Sequence, residues 1–237
     1  MVNGMTVPNH LGIIIDGNRR WAKARGMTPW MGHWEGVKNL EKILKDCLEL
    51  GVSEVSVYTL STENLKRSKR ELNELFKIFY HYLDKWDKEK DRDSFLEKYQ
   101  VKVRCIGDLD KLPKKLVRAM GKVMQKTAKY QKRILNLLIA YGSKFEIKEA
   151  VKNIAKKMIK AGKIEISEKD IEANLLVTTP VDLLIRTGGA NRLSNFLLWQ
   201  TSYAELYFTK TLWPDFSKKE LKKAIEWFGK QKRNFGK

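Results

Sequence analysis

Short apolar runs alternate with longer amphipathic stretches along most of the chain, which is the pattern of strands alternating with helices. Strand-length apolar runs lie at residues 10–15, 54–60, 101–106, 133–139, 182–185 and, more weakly, 206–208. Helical periodicity is found at residues 34–50, 70–90, 113–129, 145–161, 167–175, 192–199 and 217–231. Because strands and helices alternate, we predict an α/β fold with a mainly parallel sheet covered by helices on both faces.

Polar clusters follow three of the predicted strands, at residues 16–21, 61–67 and 186–194. In open α/β sheets, ligands bind at the carboxyl ends of the strands, where clusters of this kind lie next to one another. We therefore expect the three clusters to form one site.

The first cluster, residues 16–21 (DGNRRW), has the composition of an anion site. Gly17 permits a tight turn, and the N–H groups of a following helix start can bind phosphate oxygens. A carboxylate in an anion site is repulsive unless a cation bridges it, so Asp16 suggests Mg²⁺. Considered alone, a turn in which the side chain caps a helix explains these residues equally well.

The second cluster, residues 61–67 (STENLKR), contains residues that are common at helix starts. On its own it favours a helix N-terminus over a ligand site.

The third cluster, residues 186–194 (RTGGANRLS), combines two glycines with two arginines. Arginine makes bidentate contacts with diphosphate, which favours a binding loop over a surface loop. Asn191 or Ser194 is expected to cap the predicted helix 192–199.

The net charge of +19 favours anionic partners, namely phosphorylated substrates, nucleic acid or an anionic membrane surface. No recognised nucleic-acid-binding module is visible, so nucleic acid is not an expected partner. No apolar run reaches the roughly 20 residues of a membrane span, and residues 1–4 lack the features of a signal peptide. We expect a cytoplasmic protein with peripheral contact to an anionic membrane.

Cys47 and Cys105 lie in apolar patterns and are expected to be buried, reduced thiols.

Five strings that run in order along nearly the whole chain are similar to the cis-prenyltransferase family, which includes undecaprenyl and dehydrodolichyl diphosphate synthases. They are HLGIIIDGNRRWAKARG, YTLSTENLKRS, IGDLDKLP, LNLLIAYGSKFEI and PVDLLIRTGGANRLSNFLLWQTSYAELYFTKTLWPDF. The resemblance implies one domain over residues 1–237, with six mainly parallel strands, surrounding helices and a deep hydrophobic tunnel. It also implies a homodimer and an Mg²⁺-dependent enzyme that condenses isopentenyl diphosphate repeatedly onto an allylic diphosphate with Z stereochemistry.

The resemblance also assigns roles to individual residues. Asp16 matches an aspartate that helps to hold Mg²⁺ and the allylic diphosphate, and Asn64 matches a residue that takes part in removing the isopentenyl C2 proton. Glu205 matches a metal-associated glutamate near the subunit interface. The remaining positions that match substrate contacts are Gly17, Asn18, Arg19, Arg20, Trp21, His33, Ser61, Thr62, Glu63, Leu65, Arg67, Arg186, Arg192, Leu193 and Ser194.

The amphipathic segment 70–90 is a predicted wall of the tunnel. Its apolar stripe consists of Leu72, Leu75, Phe76, Phe79, Tyr82 and Leu83. Ordinary core packing explains most of these residues equally well or better.

Four positions depart from the family pattern. Pro29 stands where many relatives carry a phosphate-contacting arginine, for which Arg25 is a conjectured substitute. Leu65 replaces a tryptophan, Ala190 replaces an acidic residue, and Asn234 replaces an arginine near the C-terminus. These departures leave primer choice and product length open. The altered residue near the C-terminus also leaves open a second interpretation, in which the chain is a noncatalytic subunit. Such subunits typically lose the Asp-Gly-Asn cluster, which this chain retains.

Overall fold

The computed structural model describes residues 6–89, 94–162 and 165–232, and within them all six predicted strands form one sheet. The strands are β1 (His10–Ile14), β2 (Glu54–Ser61), β3 (Val101–Ile106), β4 (Arg133–Tyr141), β5 (Leu183–Arg186) and β6 (Glu205–Phe208). Every pairing is parallel, in the order β3-β4-β2-β1-β5-β6. The predicted α/β fold is confirmed.

Burial explains why the inner strands are almost continuously apolar. All residues of β1 and β5 are buried, because helices cover both faces of the sheet. The edge strand β6 is only partly covered, which accounts for its weaker apolar signal. Cys47 and Cys105 are buried and free, as predicted, and burial raises the pKa of both thiols above its usual range.

Eight helices occur in the described residues. They are α1 (Asn18–Lys23), α2 (Pro29–Glu49), α3 (Lys69–Lys88), α4 (Phe95–Lys98), α5 (Lys114–Thr127), α6 (Ser143–Ala161), α7 (Glu168–Asn174) and α8 (Lys218–Phe228). Helix α2 begins five residues earlier than predicted, with Pro29 in its first turn, where proline has no hydrogen bond to lose. No helix in the described ranges is long and apolar enough to cross a membrane.

The predicted helix 192–199 is wrong. This segment is a loop, because Ser194, Asn195 and Leu197 have φ values of 51°, 64° and 43°, in the left-handed region that a right-handed helix excludes. Neither Asn191 nor Ser194 therefore caps a helix there. The tail position Asn234 lies outside the described residues.

The order of the strands in the sheet determines where a ligand site can lie. β1 lies between β2 and β5, so the loops that follow these three strands leave the sheet side by side. The chain moves to one side of β1 for β2 and to the other side for β5. This change of direction opens a crevice at the carboxyl end of β1, the usual ligand position in such sheets.

A buried glutamate fastens the segments that flank β5. Glu146 on α6 is fully buried, and its Oε1 accepts hydrogen bonds from the N–H groups of Leu176 (2.8 Å) and Val177 (3.0 Å). Its Oε2 accepts from the Tyr141 hydroxyl and from Gln200 Nε2 at 3.2 Å. Four donors around one carboxyl group offset the free-energy cost of burying it. They also connect the segments before and after β5 to α6.

We predict that Glu146→Gln lowers the free energy of unfolding by about 2–4 kcal/mol, because the new amide donor faces donors. The matched control is Glu149→Gln on the same helix, where Glu149 pairs with surface lysines. Urea unfolding of both variants measures the difference. A loss for Glu146→Gln no larger than that of the control would contradict the assigned role.

Candidate active site

Two adjoining cavities lie at the carboxyl ends of β1, β2 and β5. The deep cavity has a volume of about 330 Å³, and the outer cavity has a volume of about 560 Å³. Predicted site residues on the deep cavity are Asp16, Asn18, His33, Ser61, Asn64, Arg67, Arg186, Arg192 and Ser194. Those on the outer cavity are Asp16, Gly17, Asn18, Arg19, Arg20, His33 and Arg67. The three sequence clusters therefore meet in one place.

The deep cavity has an apolar side. Leu75, Ile78 and Phe79 of α3 line it, opposite Val37 of α2. The predicted stripe on α3 thus divides between two tasks, because Leu83 packs into the hydrophobic core instead. This apolar recess lies beside the polar clusters, and the deep hydrophobic tunnel stays a prediction.

A buried guanidinium connects the first and third clusters. The Arg186 side chain is only 5% exposed, and its Nη2 donates to Asp16 Oδ2 at 3.0 Å. Its Nη1 donates to Ser194 Oγ at 2.8 Å and to the carbonyl of Arg192. The Nε atom of Arg186 is buried without a hydrogen-bond partner, and Nη2 uses only one of its two N–H groups, so two donors of this side chain have no protein partner.

Arg20 completes the surroundings of Asp16. Its Nη2 donates to Asp16 Oδ1 at 3.2 Å, and its Nη1 donates to the Gly188 carbonyl at 2.6 Å. A Cβ atom at Gly188 would lie 2.6 Å from Arg20 Nη2, so glycine is needed for this approach. Gly17 has a φ of 114° and precedes α1 without a side-chain cap. Asp16 therefore faces arginines rather than capping the helix, which decides between the two interpretations of this cluster.

The second cluster forms a short 3₁₀ helix, Glu63–Lys66. Asn64 is fixed at its start, because its N–H donates to Ser61 Oγ at 3.1 Å and its Oδ1 accepts from the Ser61 N–H at 3.4 Å. The prediction of a helix start was correct in part, since a 3₁₀ helix begins at Glu63 within the cluster, whereas α3 is capped by Ser68, outside it, through the N–H of Glu71.

Glu71 is a site residue that the sequence analysis missed. Its Oε1 lies 3.1 Å from Arg67 Nη1 and 3.8 Å from both Arg19 Nη1 and His33 Nε2. The four-residue spacing between Arg67 and Glu71 was the available signal, because such pairs meet on a helix surface. One carboxylate thus gathers three basic groups at the rim of the two cavities.

His33 is kept neutral by its surroundings. Burial and the nearby Arg67 guanidinium together lower its pKa to about 4, against the opposing effect of Glu71. Its Nε2 is buried without a hydrogen-bond partner. A neutral imidazole at this position can donate its one N–H to a bound phosphate oxygen.

Trp21 lies outside the lining of both cavities. Its Nε1 donates to Asp215 Oδ1 at 2.6 Å, and the Arg25 guanidinium stacks on its ring at 4.1 Å while bonding Asp215 at 3.3 Å. Arg25 is thus held by Asp215, and Pro29 lines the outer cavity without a replacement for the missing arginine.

Other predicted contacts also lie away from the cavity walls. Leu65 and Leu193 pack against the hydrophobic core, the Thr62 N–H donates to the Tyr141 carbonyl, and Glu63 Oε1 accepts from Asn195. Glu205 is the first residue of the edge strand β6, opposite Leu183 at the start of β5 rather than at its carboxyl end. The structure therefore does not bring Glu205 to Asp16 within one chain.

Asp16 is the carboxylate of the outer cavity. No group of three or more His, Cys, Asp or Glu side chains suited to a metal ion is found in the part of the chain that the structure describes. Mg²⁺ commonly binds through one or two carboxylates together with substrate phosphates and water. A lone aspartate among arginines fits such a shared site and does not fit a metal cage made by the protein alone.

Comparisons with known proteins agree with this geometry. Residues 14–236 match the prenyltransferase family model that is described as undecaprenyl diphosphate synthase. A tritrans,polycis-undecaprenyl-diphosphate synthase (geranylgeranyl-diphosphate specific) of Methanopyrus kandleri is 44% identical over 97% of this chain and 85% of its own length. An isoprenyl transferase of Campylobacter jejuni is 41% identical over 96% of this chain and 98% of its own.

Among solved structures, lavandulyl diphosphate synthase from Lavandula x intermedia in complex with dimethylallyl diphosphate superimposes with a TM-score of 0.90. It is 35% identical, and the match covers 98% of this chain and 99% of the other. At this identity and coverage the shared fold extends over the whole described chain.

We predict that the free energy of unfolding falls as pH drops from 6.5 to about 4, because the unfolded chain takes up a proton at His33 that the folded chain does not bind. This contribution is fully present above pH 6.5 and amounts to about 3 kcal/mol at most. His33→Gln should remove it, whereas His81→Gln, on an exposed part of α3, controls for the loss of a surface histidine. Denaturant titrations across this pH range measure the slopes, and equal slopes for wild type and His33→Gln would contradict the prediction.

Proposed function

The chain belongs to the cis-prenyltransferase family and is a chain-elongating prenyltransferase. From this we propose which part of each substrate its two cavities bind. The allylic diphosphate lies in the outer cavity, with its hydrocarbon in the deep cavity. Isopentenyl diphosphate lies on the Arg186 side. The observation that carries the proposal is the meeting of three basic clusters with an apolar recess at the carboxyl end of β1.

The outer cavity suits the diphosphate of the allylic substrate, which is the leaving group of the reaction. Arg19 and Arg20 are exposed at its wall, and the backbone at Gly17 comes close enough to offer N–H groups. Preorganised donors of this kind stabilise the negative charge that develops as the allylic C–O bond breaks. Mg²⁺, when bound at Asp16 with phosphate oxygens, would supply further charge neutralisation of the same group.

The third cluster suits the second diphosphate. Arg192 and Ser194 line the deep cavity beside Arg186, whose Nε has no protein partner. In the condensation, the electron pair of the isopentenyl double bond forms the new C–C bond, and the C2 proton is lost to form the new double bond. Asn64 lies on the same cavity and would direct this proton. Since a neutral amide is a weak base, the departing diphosphate is the final acceptor.

We also propose that two copies associate through the β6 edge. Leu206 on the edge strand β6 is 39% exposed, and Tyr203, two residues before this strand, is 71% exposed. Exposed apolar residues on an open strand edge are favourable for pairing with a second chain. Glu205 lies on the same strand, so its proposed metal role would involve the interface rather than the cavity of one chain alone.

The enzyme is favoured over the noncatalytic subunit because the Asp-Gly-Asn cluster is built into the cavity wall. A cytoplasmic location and the absence of nucleic-acid binding remain predictions.

The proposed function is tested by incubating the protein with Mg²⁺, labelled isopentenyl diphosphate and farnesyl or geranylgeranyl diphosphate. We expect extractable polyprenyl products, and Asp16→Asn should lower kcat/KM by about 100-fold or more, because both charge balance and metal affinity are lost. Asp110→Asn, at an exposed turn, is the matched control. Absence of product with every primer would contradict the function, whereas a wild-type rate for Asp16→Asn would contradict only the role of this residue.

Helix α6 offers a surface for peripheral contact with an anionic membrane. Its exposed face carries lysines at four-residue intervals, namely Lys144, Lys148, Lys152, Lys156 and Lys160. Val151 (51% exposed) and Ile159 (82% exposed) lie between them. Lysines interleaved with apolar side chains are typical of helices that lie on anionic bilayers.

We predict that replacing Lys152, Lys156 and Lys160 by Gln weakens binding to phosphatidylglycerol vesicles by on the order of 100-fold, at about 1 kcal/mol per lysine. The control replaces three exposed lysines of α8 by Gln, namely Lys219, Lys222 and Lys223. Co-sedimentation at low and high salt measures the affinity. Equal losses for both triple variants would contradict a specific α6 surface.

A further inference from the structure

The two loops that carry the proposed reacting groups are joined by one side-chain hydrogen bond. The loop after β2 holds Asn64, and the loop after β5 holds Arg192 and Ser194. Across the end of β1, Asn195 Nδ2 donates to Glu63 Oε1 at 2.9 Å. The two partners are 132 residues apart in the chain, so this contact exists only in the folded protein.

The other atoms of Asn195 are anchored to the start of α6. Its Oδ1 accepts from the Lys144 N–H at 2.9 Å, and its carbonyl accepts from the Ser143 N–H at 2.8 Å. The amide has only one orientation that satisfies both sides. Turning it over would place the NH₂ group against the Lys144 N–H and the carbonyl oxygen against the Glu63 carboxylate.

Packing holds the same side chain in place. A Cβ atom on Gly142 would lie 2.6 Å from Asn195 Nδ2, so the amide fits closely over this glycine. Asn195 itself has a φ of 64°, a conformation that asparagine tolerates better than most residues. Both features favour an amide at this position over a larger or branched side chain.

We propose that Asn195 is a positioning residue, whose hydrogen bond to Glu63 sets the distance between the isopentenyl diphosphate loop and Asn64. Ser194 is its immediate neighbour, and Asn64 is the neighbour of Glu63. This inference rests on the proposed function of the two loops. Since the allylic diphosphate is assigned to the Asp16 side, loss of the contact should affect isopentenyl diphosphate selectively.

The test is a charge-swap cycle of Asn195→Asp, Glu63→Gln and the double variant. Asn195→Asp keeps the acceptor for Lys144 but sets a carboxylate against Glu63, and we expect kcat/KM for isopentenyl diphosphate to fall about 10-fold or more. KM for the allylic diphosphate should change less than about 2-fold. The double variant should recover most of the loss, because the Gln amide donates to the new carboxylate.

Two further variants separate positioning from folding. Asn195→Gly accommodates the left-handed backbone but lacks both side-chain bonds, so Glu63→Gln should not rescue it. Asn73→Asp makes the same chemical change at an exposed position of α3 and should leave both KM values unchanged. The free energy of unfolding is measured for each variant.

Affinity for isopentenyl diphosphate is also measured by calorimetry, which does not depend on turnover. Rescue in the double variant supports the inference. Wild-type kinetics and affinity in folded Asn195→Asp and Asn195→Gly would overturn it, as would equal losses for both substrates without rescue. If the wild-type protein binds isopentenyl diphosphate but makes no product, the proposed function is contradicted. The affinities of the Asn195→Asp, Glu63→Gln and double variants for isopentenyl diphosphate would still decide the role of Asn195.

Discussion

The buried pair of Arg186 and Asp16 is the contact on which the rest of the site depends. The guanidinium is almost fully enclosed, and it binds Asp16, the second residue after β1, on one side and the 192–194 loop on the other. The guanidinium has five N–H donors in a fixed arrangement, so it bonds an aspartate, a serine and a carbonyl at once and still has two N–H groups without a protein partner. Removing the Asp16 carboxylate would leave the Arg186 guanidinium without its charged partner in a poorly solvated place.

The strand order makes this contact possible. Because β1 lies between β2 and β5, three loops that are distant in sequence share one edge of the sheet. A close backbone approach at Gly188 lets Arg20 and Asp16 come together. The proposed reaction has the same requirement, since two diphosphates must be held near each other while their hydrocarbon parts remain in a water-poor recess.

The sequence predicted the periodic parts of the molecule well. The inner strands were found because burial on both faces leaves a continuous apolar run, and α3 and α5 because one face of each is apolar. The helix at 192–199 was predicted wrongly because its apolar spacing resembles a helix, whereas the sign of φ at Ser194 and Leu197 leaves no trace in hydrophobicity. Asp16, Asn64 and Arg186 were predictable from their place after strands. Glu71 was indicated only by its four-residue spacing from Arg67. Asn195 was missed because its role comes from contacts with several loops, which no local pattern records.

The central claim is that one connected site holds two diphosphate groups on either side of the Asp16–Arg186 pair, with an apolar recess for the growing chain. A crystal structure with Mg²⁺, isopentenyl diphosphate and an unreactive thio-analogue of farnesyl diphosphate tests it most directly. The account predicts one diphosphate beside Arg20 and the other beside Arg192, with the prenyl tail against Leu75 and Phe79. Diphosphates on unconnected surfaces, or a tail lying outside the deep cavity, would contradict it.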